Sequence, residues 1–358
     1  MKKKTKVNKK KLDSLLLVLL LTAVLLIMST YAWFTANRTV TIGSIDVHVE
    51  TSSGLMISAN GKDWGTSITV DDIKNAKTEG YAGARNQLPF ELSPVSTALQ
   101  LKGENLRMFF GDVVQDNEKG SATRGEYFLT TTEQEEKDGN EGYYVAFDVF
   151  LKSGNDEDNL YLSGDVKEMT RISEGNYEEA TTEKGITNAA RVAIIRGNNT
   201  TNADSQAAVT GLITSNGEVM MWEPNYNYHT KFGVENAEKI YNITGLEEGP
   251  GNDYTSYAGV SEAMENVKLQ DAISGHGSLA DVNYKWASKK YEEPSLQLPA
   301  DSNGNGISKG ATKYRIYMWI EGQDVDCENN ASGAYAQLDL NFSLDAGDVL
   351  IAPDGISR

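Results

Sequence analysis

With one cysteine, Cys327, the chain cannot build an intrachain disulfide framework. Stability has to come from a buried apolar core, with bound ions as the remaining source. The lone thiol is read as structural; a reactive thiol or an intermolecular bridge is the sharper alternative. Secreted bacterial chains of Gram-positive type also lack disulfides, so the count does not argue against export. Histidine is nearly as scarce, and His48, His229 and His276 stand far apart in unlike contexts. A zinc hydrolase needs two histidines one helical turn apart with a glutamate between them, and no such run exists. There is no Gly-x-Ser-x-Gly elbow at a strand end, so a catalytic role is not expected. No repeat of about 20–50 residues marks a solenoid.

Positive charge is also in deficit. Lysine and arginine number 33 against 51 acidic residues, a net charge of -18. Such a surface repels nucleic acid and anionic lipid, both polyanions, and suits solubility outside a cell or cation binding. No nucleic-acid partner is expected.

The basic residues that exist are concentrated at the start. Lys2, Lys3, Lys4, Lys6, Lys9, Lys10 and Lys11 precede the apolar run Leu15 to Met28. That run gives roughly 21 Å of helix at about 1.5 Å per residue, short of the ~30 Å hydrocarbon core. This is the plan of an export signal, and Thr30 and Ala32 supply the small residues a signal peptidase accepts before the cut. Residues 1–32 are read as a signal peptide cut before Trp33, the alternative being an uncleaved anchor that draws on Tyr31 to Phe34. Membrane contact is expected only through this segment. No wall-sorting motif is read near the end, so the product is expected to be released, held by its own helix, or held by assembly.

The junction has a distinctive order: Thr30, Tyr31 and Ala32, the aromatic pair Trp33 and Phe34, a polar gap, Gly43, then alternating Ile45, Val47 and Val49. It resembles the junction of secreted proteins that need a SipW-type signal peptidase, the TasA and camelysin family of biofilm-matrix proteins. The resemblance covers about forty residues. It implies that peptidase as a partner, an extracellular location, and a jelly-roll fold. Camelysin is described as a metalloprotease, but nothing in this chain matches such a site.

Beyond residue 32 the chain is long enough for one large β domain with insertions or for two domains. Strands are read at 39–51, around Leu55 to Ile57 with an Asn60-Gly61 turn, at 143–153, at Asn159 to Gly164 as the partner of the preceding strand, at 190–197, at 313–322 and at 334–344. In the 143–153 strand, Tyr144, Ala146, Asp148 and Phe150 alternate with Val145, Phe147, Val149 and Leu151, and one side is expected to be buried. The near-continuous ARVAIIRG run predicts a central strand covered on both sides. One helical turn is expected at Asp71 to Ala76, a fixed loop around Pro94, exposed polar insertions at about 98–141 and 198–310, and a helix at 261–273. The fold class that follows is mainly β, an antiparallel β-sandwich of jelly-roll type with long polar insertions, residues 33–358 forming one extracellular domain. The strand pattern alone also allows an immunoglobulin-like sandwich.

No cofactor is expected, and calcium alone is considered. Asp301, Asn303, Asn305 and Gly306 are spaced like the start of a calcium loop, but Thr312 stands where a bidentate glutamate is required, so a plain turn is favoured. Asp324, Asp326 and Glu328 form a second acidic loop, read as solvated. The leading functional expectation is a non-catalytic matrix protein that self-associates into fibres, its N-terminal strand, with Trp33, Phe34, Val40 and Ile42, adding to a neighbour's sheet. The alternative is a monomeric adhesin or glycan- or protein-binding module that uses Trp222, Tyr226 and Tyr228 for stacking.

Overall fold

The computed structural model describes residues 40–49, 54–173, 176–180, 185–214, 219–223, 228–241, 244–245, 247, 249–250, 259–269, 271, 285–288, 296–298, 300–324, 326–327 and 335–344. The protein is mainly β and is built on two larger sheets that share one core. The first sheet has the spatial order β12 (Asn176–Glu179), β11 (Tyr161–Ser173), β21 (Tyr335–Ser343), β1 (Val40–Val49) and β3 (Ser67–Thr69). Two short strands join it, β4 (Glu91–Leu92) on β1 and β19 (Leu296–Gln297) on β11. The second has the order β18 (Lys285–Ser288), β14 (Val219–Glu223), β13 (Ala190–Thr200), β20 (Gly310–Ile320), β10 (Val145–Ser153) and β2 (Met56–Ser58).

Alternation decides which side of the first sheet is buried. Ile45, Val47 and Val49 of β1 and Ala336, Leu338, Leu340 and Phe342 of β21 point into the shared core, as side chains on a pleated strand must at every second position. The opposite face is polar, and the register sets Asp165, Asp339 and Asp46 in one row across three strands. β1 and β21 run parallel, as do β14 and β18, so the architecture is not purely antiparallel.

The second sheet is covered on both faces. Val145, Phe147 and Val149, Val192 and Ile194, and Tyr314, Ile316 and Met318 face the first sheet. Ala146, Ala193, Ile195, Tyr317 and Trp319 face the other way, onto Val95, Leu99, Leu106 and Met108. That cover is a third layer, β17 (Met264–Lys268), β9 (Tyr127–Gln134), β8 (Met108–Gln115) and β5 (Val95–Ser96), extended by the hairpin of β6 (Leu101–Lys102) and β7 (Asn105–Leu106). A small pair, β15 (Tyr228–His229) and β16 (Gly249–Pro250), completes the strands. Among the described residues, short helices connect them: α1 (Val70–Asn75), capped by Thr69 and Asp72 through a reciprocal capping box, α2 (Ile186–Ala189), α3 (Gln206–Thr210) and α4 (Lys231–Tyr241).

This third layer corrects several expectations. The segment 98–141 is no exposed excursion, because its β8 buries Met108 and Phe109 completely. The Asp148 face of β10 is buried as fully as the Val145 face, for the same reason. Residues 264–268 form a strand on β9, although Ala263, Met264 and Val267 suggest a helix by spacing: pairing to an edge outweighs a weak period. The loop around Pro94 contributes two buried strand residues, Leu92 and Val95, to two different sheets. β11 pairs with β21 instead of β10, so the chain crosses from one sheet to the other after the acidic turn. β20 and β21 likewise lie in different sheets. The helical turn after Thr69, the Asn60-Gly61 turn with Gly61 at φ 70°, and the central, doubly covered β13 are found where the pattern puts them.

Met108→Ala should distinguish a third layer from a loose insertion. A fully buried methionine truncated to alanine costs about 2–5 kcal/mol, whereas a side chain on an exposed excursion would cost almost nothing. Urea unfolding followed by tryptophan fluorescence measures the difference.

Candidate functional site

The face of the second sheet that turns away from the main core carries a buried cluster of charges. On β20, Lys313, Arg315 and Tyr317 alternate with the apolar Tyr314, Ile316 and Met318, and β10 places Asp148 directly opposite Arg315. Asp148 Oδ1 accepts from Arg315 Nη1 at 2.7 Å, and Oδ2 accepts from the Tyr81 hydroxyl at 2.6 Å, with Lys313 Nζ at 3.2 Å. The backbone N–H of Asp148 donates to Asn86 Oδ1 at 3.2 Å. Arg315 also donates to Glu136 Oε1 at 2.5 Å, to the Arg85 carbonyl at 2.8 Å and to the Tyr317 hydroxyl at 2.9 Å. Tyr317 in turn donates to Glu136 Oε2 at 3.0 Å.

Burial is the largest influence on Asp148 and would raise its pKa, but Arg315, Lys313 and the hydrogen bonds from Tyr81 and Arg315 hold it below the ordinary carboxylate value. Burial also pushes Glu136 up, with Arg315 and the Tyr317 hydroxyl pulling against it. Burial would lower Arg315, yet Asp148, Tyr317 and Glu136 raise it well above its usual value. Tyr81 and Tyr317 are pushed up by burial and stay protonated donors. Both oxygens of Asp148 are engaged by cations and a hydroxyl. The pairing of Asp148 with Arg315 and Lys313 holds these charges in place.

Above it opens a cleft of about 500 Å³. The hairpin of β6 and β7 forms one wall: its two-residue loop, Gly103 and Glu104, joins the paired residues Lys102 and Asn105. Gly103 takes the positive φ of 70° that such a turn requires. Arg85, Lys313 and the segment after α3, with Leu212 and Ile213, form the rest. Lys313 Nζ lies 3.7 Å from Glu104 Oε2, which also accepts from the Thr214 N–H at 3.1 Å and its hydroxyl at 3.2 Å. Composition and motif spacing pass over this site. Its visible signal is an aspartate inside an otherwise apolar strand together with a Lys-x-Arg pair inside another.

The acidic loops behave differently from their sequence reading. Asp301 Oδ1 accepts from the N–H groups of Asn303 at 2.8 Å and Asn305 at 3.0 Å, and Oδ2 accepts from the Ser308 hydroxyl at 2.5 Å. Arg196 Nη2 sits 3.6 Å from Asp301 Oδ2, and Arg196 Nη1 donates to the Asn305 and Gly306 carbonyls at 3.0 and 2.8 Å. A guanidinium thus takes the loop's oxygens, and the loop is a turn. Asp324 and Asp326, read as solvated, are buried. Asp324 Oδ2 pairs with Arg191 Nη2 at 2.5 Å. Asp326 Oδ2 lies 2.9 Å from His229 Nδ1, while its Oδ1 accepts from the Thr230 N–H at 2.7 Å just ahead of α4. These two acids pin the loop after β20 to α2, β13 and the start of α4. Glu328 lies outside the described residues. Among the described residues no group of three or more His, Cys, Asp or Glu could hold a metal ion.

Nearby, Glu321 is fully enclosed beside Ser96. It accepts from Trp319 Nε1 and the Gln323 N–H, both at 3.0 Å, and burial lifts its pKa to about 7. Cys327 is buried. Val40 is buried in the chain's own core and Ile42 packs against it, so the strand expected to enter a neighbour is, from Val40 on, an internal strand between β21 and β4. Trp222 is a core residue and cannot act as a stacking platform, since its ring faces the first sheet. Thr30, Ala32, Trp33, Phe34 and Tyr226 lie outside the described residues.

Replacing Asp148 with Asn should destabilise the protein by about 3–5 kcal/mol, because Arg315 and Lys313 each lose a buried anionic partner and keep only Glu136 and Glu104. The group's folded pKa is depressed, so its contribution is present above about pH 4 and fades as pH falls through the folded value. Chemical denaturation of both proteins at pH 7 measures the loss. Glu321→Gln has the opposite signature. The folded carboxyl binds its proton more tightly than the unfolded one, so the wild type loses stability as pH rises from about 4.5 to about 7, by an amount on the order of 3 kcal/mol. The variant should lack that decline, and its melting temperature should overtake the wild type's across this window.

No family model, curated protein or solved structure matches this chain.

Proposed function

We propose that the chain is an exported, non-catalytic structural protein of the bacterial cell surface or biofilm matrix, released by a SipW-type signal peptidase and self-associating into fibres. The observation that carries this reading is the junction itself: Thr30, Tyr31 and Ala32, then Trp33 and Phe34, with strand β1 beginning at Val40. An aromatic pair at a new N-terminus is apolar surface left in water unless something covers it. At about 25 cal/mol per Å², covering both rings is worth several kcal/mol. β1 is already part of the chain's own sheet, so strand addition to a neighbour falls to residues 33–39. A contact of that kind is head-to-tail and does not close, which makes it a filament contact. The jelly-roll form of the two-sheet core belongs to the same proposal.

A second reading, a surface binding module, is favoured by the charged cleft beside the β6–β7 hairpin, and no longer by the stretch around Trp222.

Deleting Trp33 to Arg38 should abolish filaments of the exported chain in negative-stain electron microscopy. The β-type circular dichroism and the melting temperature should stay unchanged, because the deletion stops short of Val40. Filaments formed by the truncated protein would sink the assembly role of this segment, and loss of folding would assign it to the chain's own core.

A further inference from the structure

We infer that the cleft between the β6–β7 hairpin and the segment after α3 binds an acidic saccharide, a sugar that presents a carboxylate together with hydroxyl donors. The inference rests on the binding-module reading and names its ligand class. It does not involve the segment before Val40, so the fate of the fibre proposal leaves it untouched.

Charge is the first argument. The chain as a whole carries -18, yet the cleft is lined by Arg85, Lys102, Lys313 and Arg315 against Glu104 and Asp148. Arg315 and Asp148 neutralise each other at its floor. Arg85 is exposed on the wall and, among the described residues, has no carboxylate within ion-pair distance of its guanidinium. Among the described residues Lys102 reaches Glu133 alone, at 3.8 Å. Lys313 Nζ, almost wholly buried, has three donors and two acidic neighbours. Lys102, Lys313 and Arg315 are thus matched by Glu133, Glu104, Asp148 and Glu136, and the exposed Arg85 guanidinium is the charge on this concave wall that offers itself to an anion.

The second argument separates a sugar acid from a simple anion. Glu104 stands among these cations with only its Oε2 engaged by Lys313 and Thr214; Oε1 has no hydrogen-bond partner among the described residues. Sulfate at neutral pH has no proton to give a carboxylate acceptor, whereas a sugar hydroxyl donates to it. Asn105 next to it offers both a donor and an acceptor, and exposed Ile213 on the opposite wall offers an apolar surface for a ring face. About 500 Å³ matches a site for one to three sugar residues.

Isothermal titration of the exported chain with trigalacturonate, neutral maltotriose and sodium sulfate tests this. Trigalacturonate should bind saturably and at least about tenfold more tightly than either control. Arg85→Glu, an exposed change that leaves the melting temperature in place, should weaken it by a similar factor. Glu104→Gln should weaken trigalacturonate relative to sulfate, because it removes the charged acceptor for the sugar hydroxyls and the repulsion that sulfate meets. Equal binding of maltotriose would overturn the acidic-saccharide inference while leaving a binding module standing. Sulfate binding as tight as trigalacturonate, or affinity indifferent to Arg85→Glu, would overturn it too. Absence of binding by all three would remove both the inference and the reading it rests on.

Discussion

The ion pair between Asp148 and Arg315 sets the terms on which the central sheet can exist. Three adjacent strands, β13, β20 and β10, are covered on both faces, so any charge they carry is taken out of water and has to be neutralised from within. Asp148 meets Arg315 across the β10–β20 ladder, and Lys313, Tyr81 and Glu136 complete the shell. A one-residue slip of β20 would turn Lys313 and Arg315 into the main apolar core, at a cost far above that of any single packing defect. The cluster therefore works against wrong registers as much as it works for stability. It also supplies the floor of the cleft beside the β6–β7 hairpin.

The same logic operates at the other end of β20. Arg191 on β13 and His229 ahead of α4 each meet an aspartate from the loop that leaves this strand, and Glu321 sits between them and the third layer. Here burial outweighs compensation for Asp326 and Glu321, whose pKa values rise, whereas at Asp148 compensation wins. The difference follows from partners: Asp148 has two cations and a hydroxyl, while Glu321 has Ser96, an indole N–H and a backbone N–H, with Arg191 only as a more distant charge.

β1 connects this architecture to the export reading. It lies between the last strand of the sheet and the β3 and β4 segments, and its side chains Ile45, Val47 and Val49 are core residues. The body of the protein thus begins within a few residues of the proposed cut. In the proposed mature chain, residues 33–39 precede Val40 and carry Trp33 and Phe34, which is why the proposal assigns self-association to them and ligand binding to the cleft.

The residues alone determined the mainly β class, because two-residue alternation in β1 and β21 and a continuous apolar run in β13 can be satisfied only by half-covered and doubly covered strands. They also determined the helical turn after Thr69, and they alone carry the proposal of N-terminal export. Only the tertiary structure decided that segment 98–141 is a packed layer, that Asp324 and Asp326 are buried, and that Asp148, Lys313, Arg315, Tyr81 and Glu136 meet. The reason is physical. Alternation reports local burial on one strand, but whether a polar segment is solvated or folded over a sheet depends on partners far away in the chain. Arg315 and Asp148 are 167 residues apart in sequence. The energy that makes a buried carboxylate tolerable exists only once its cation has arrived.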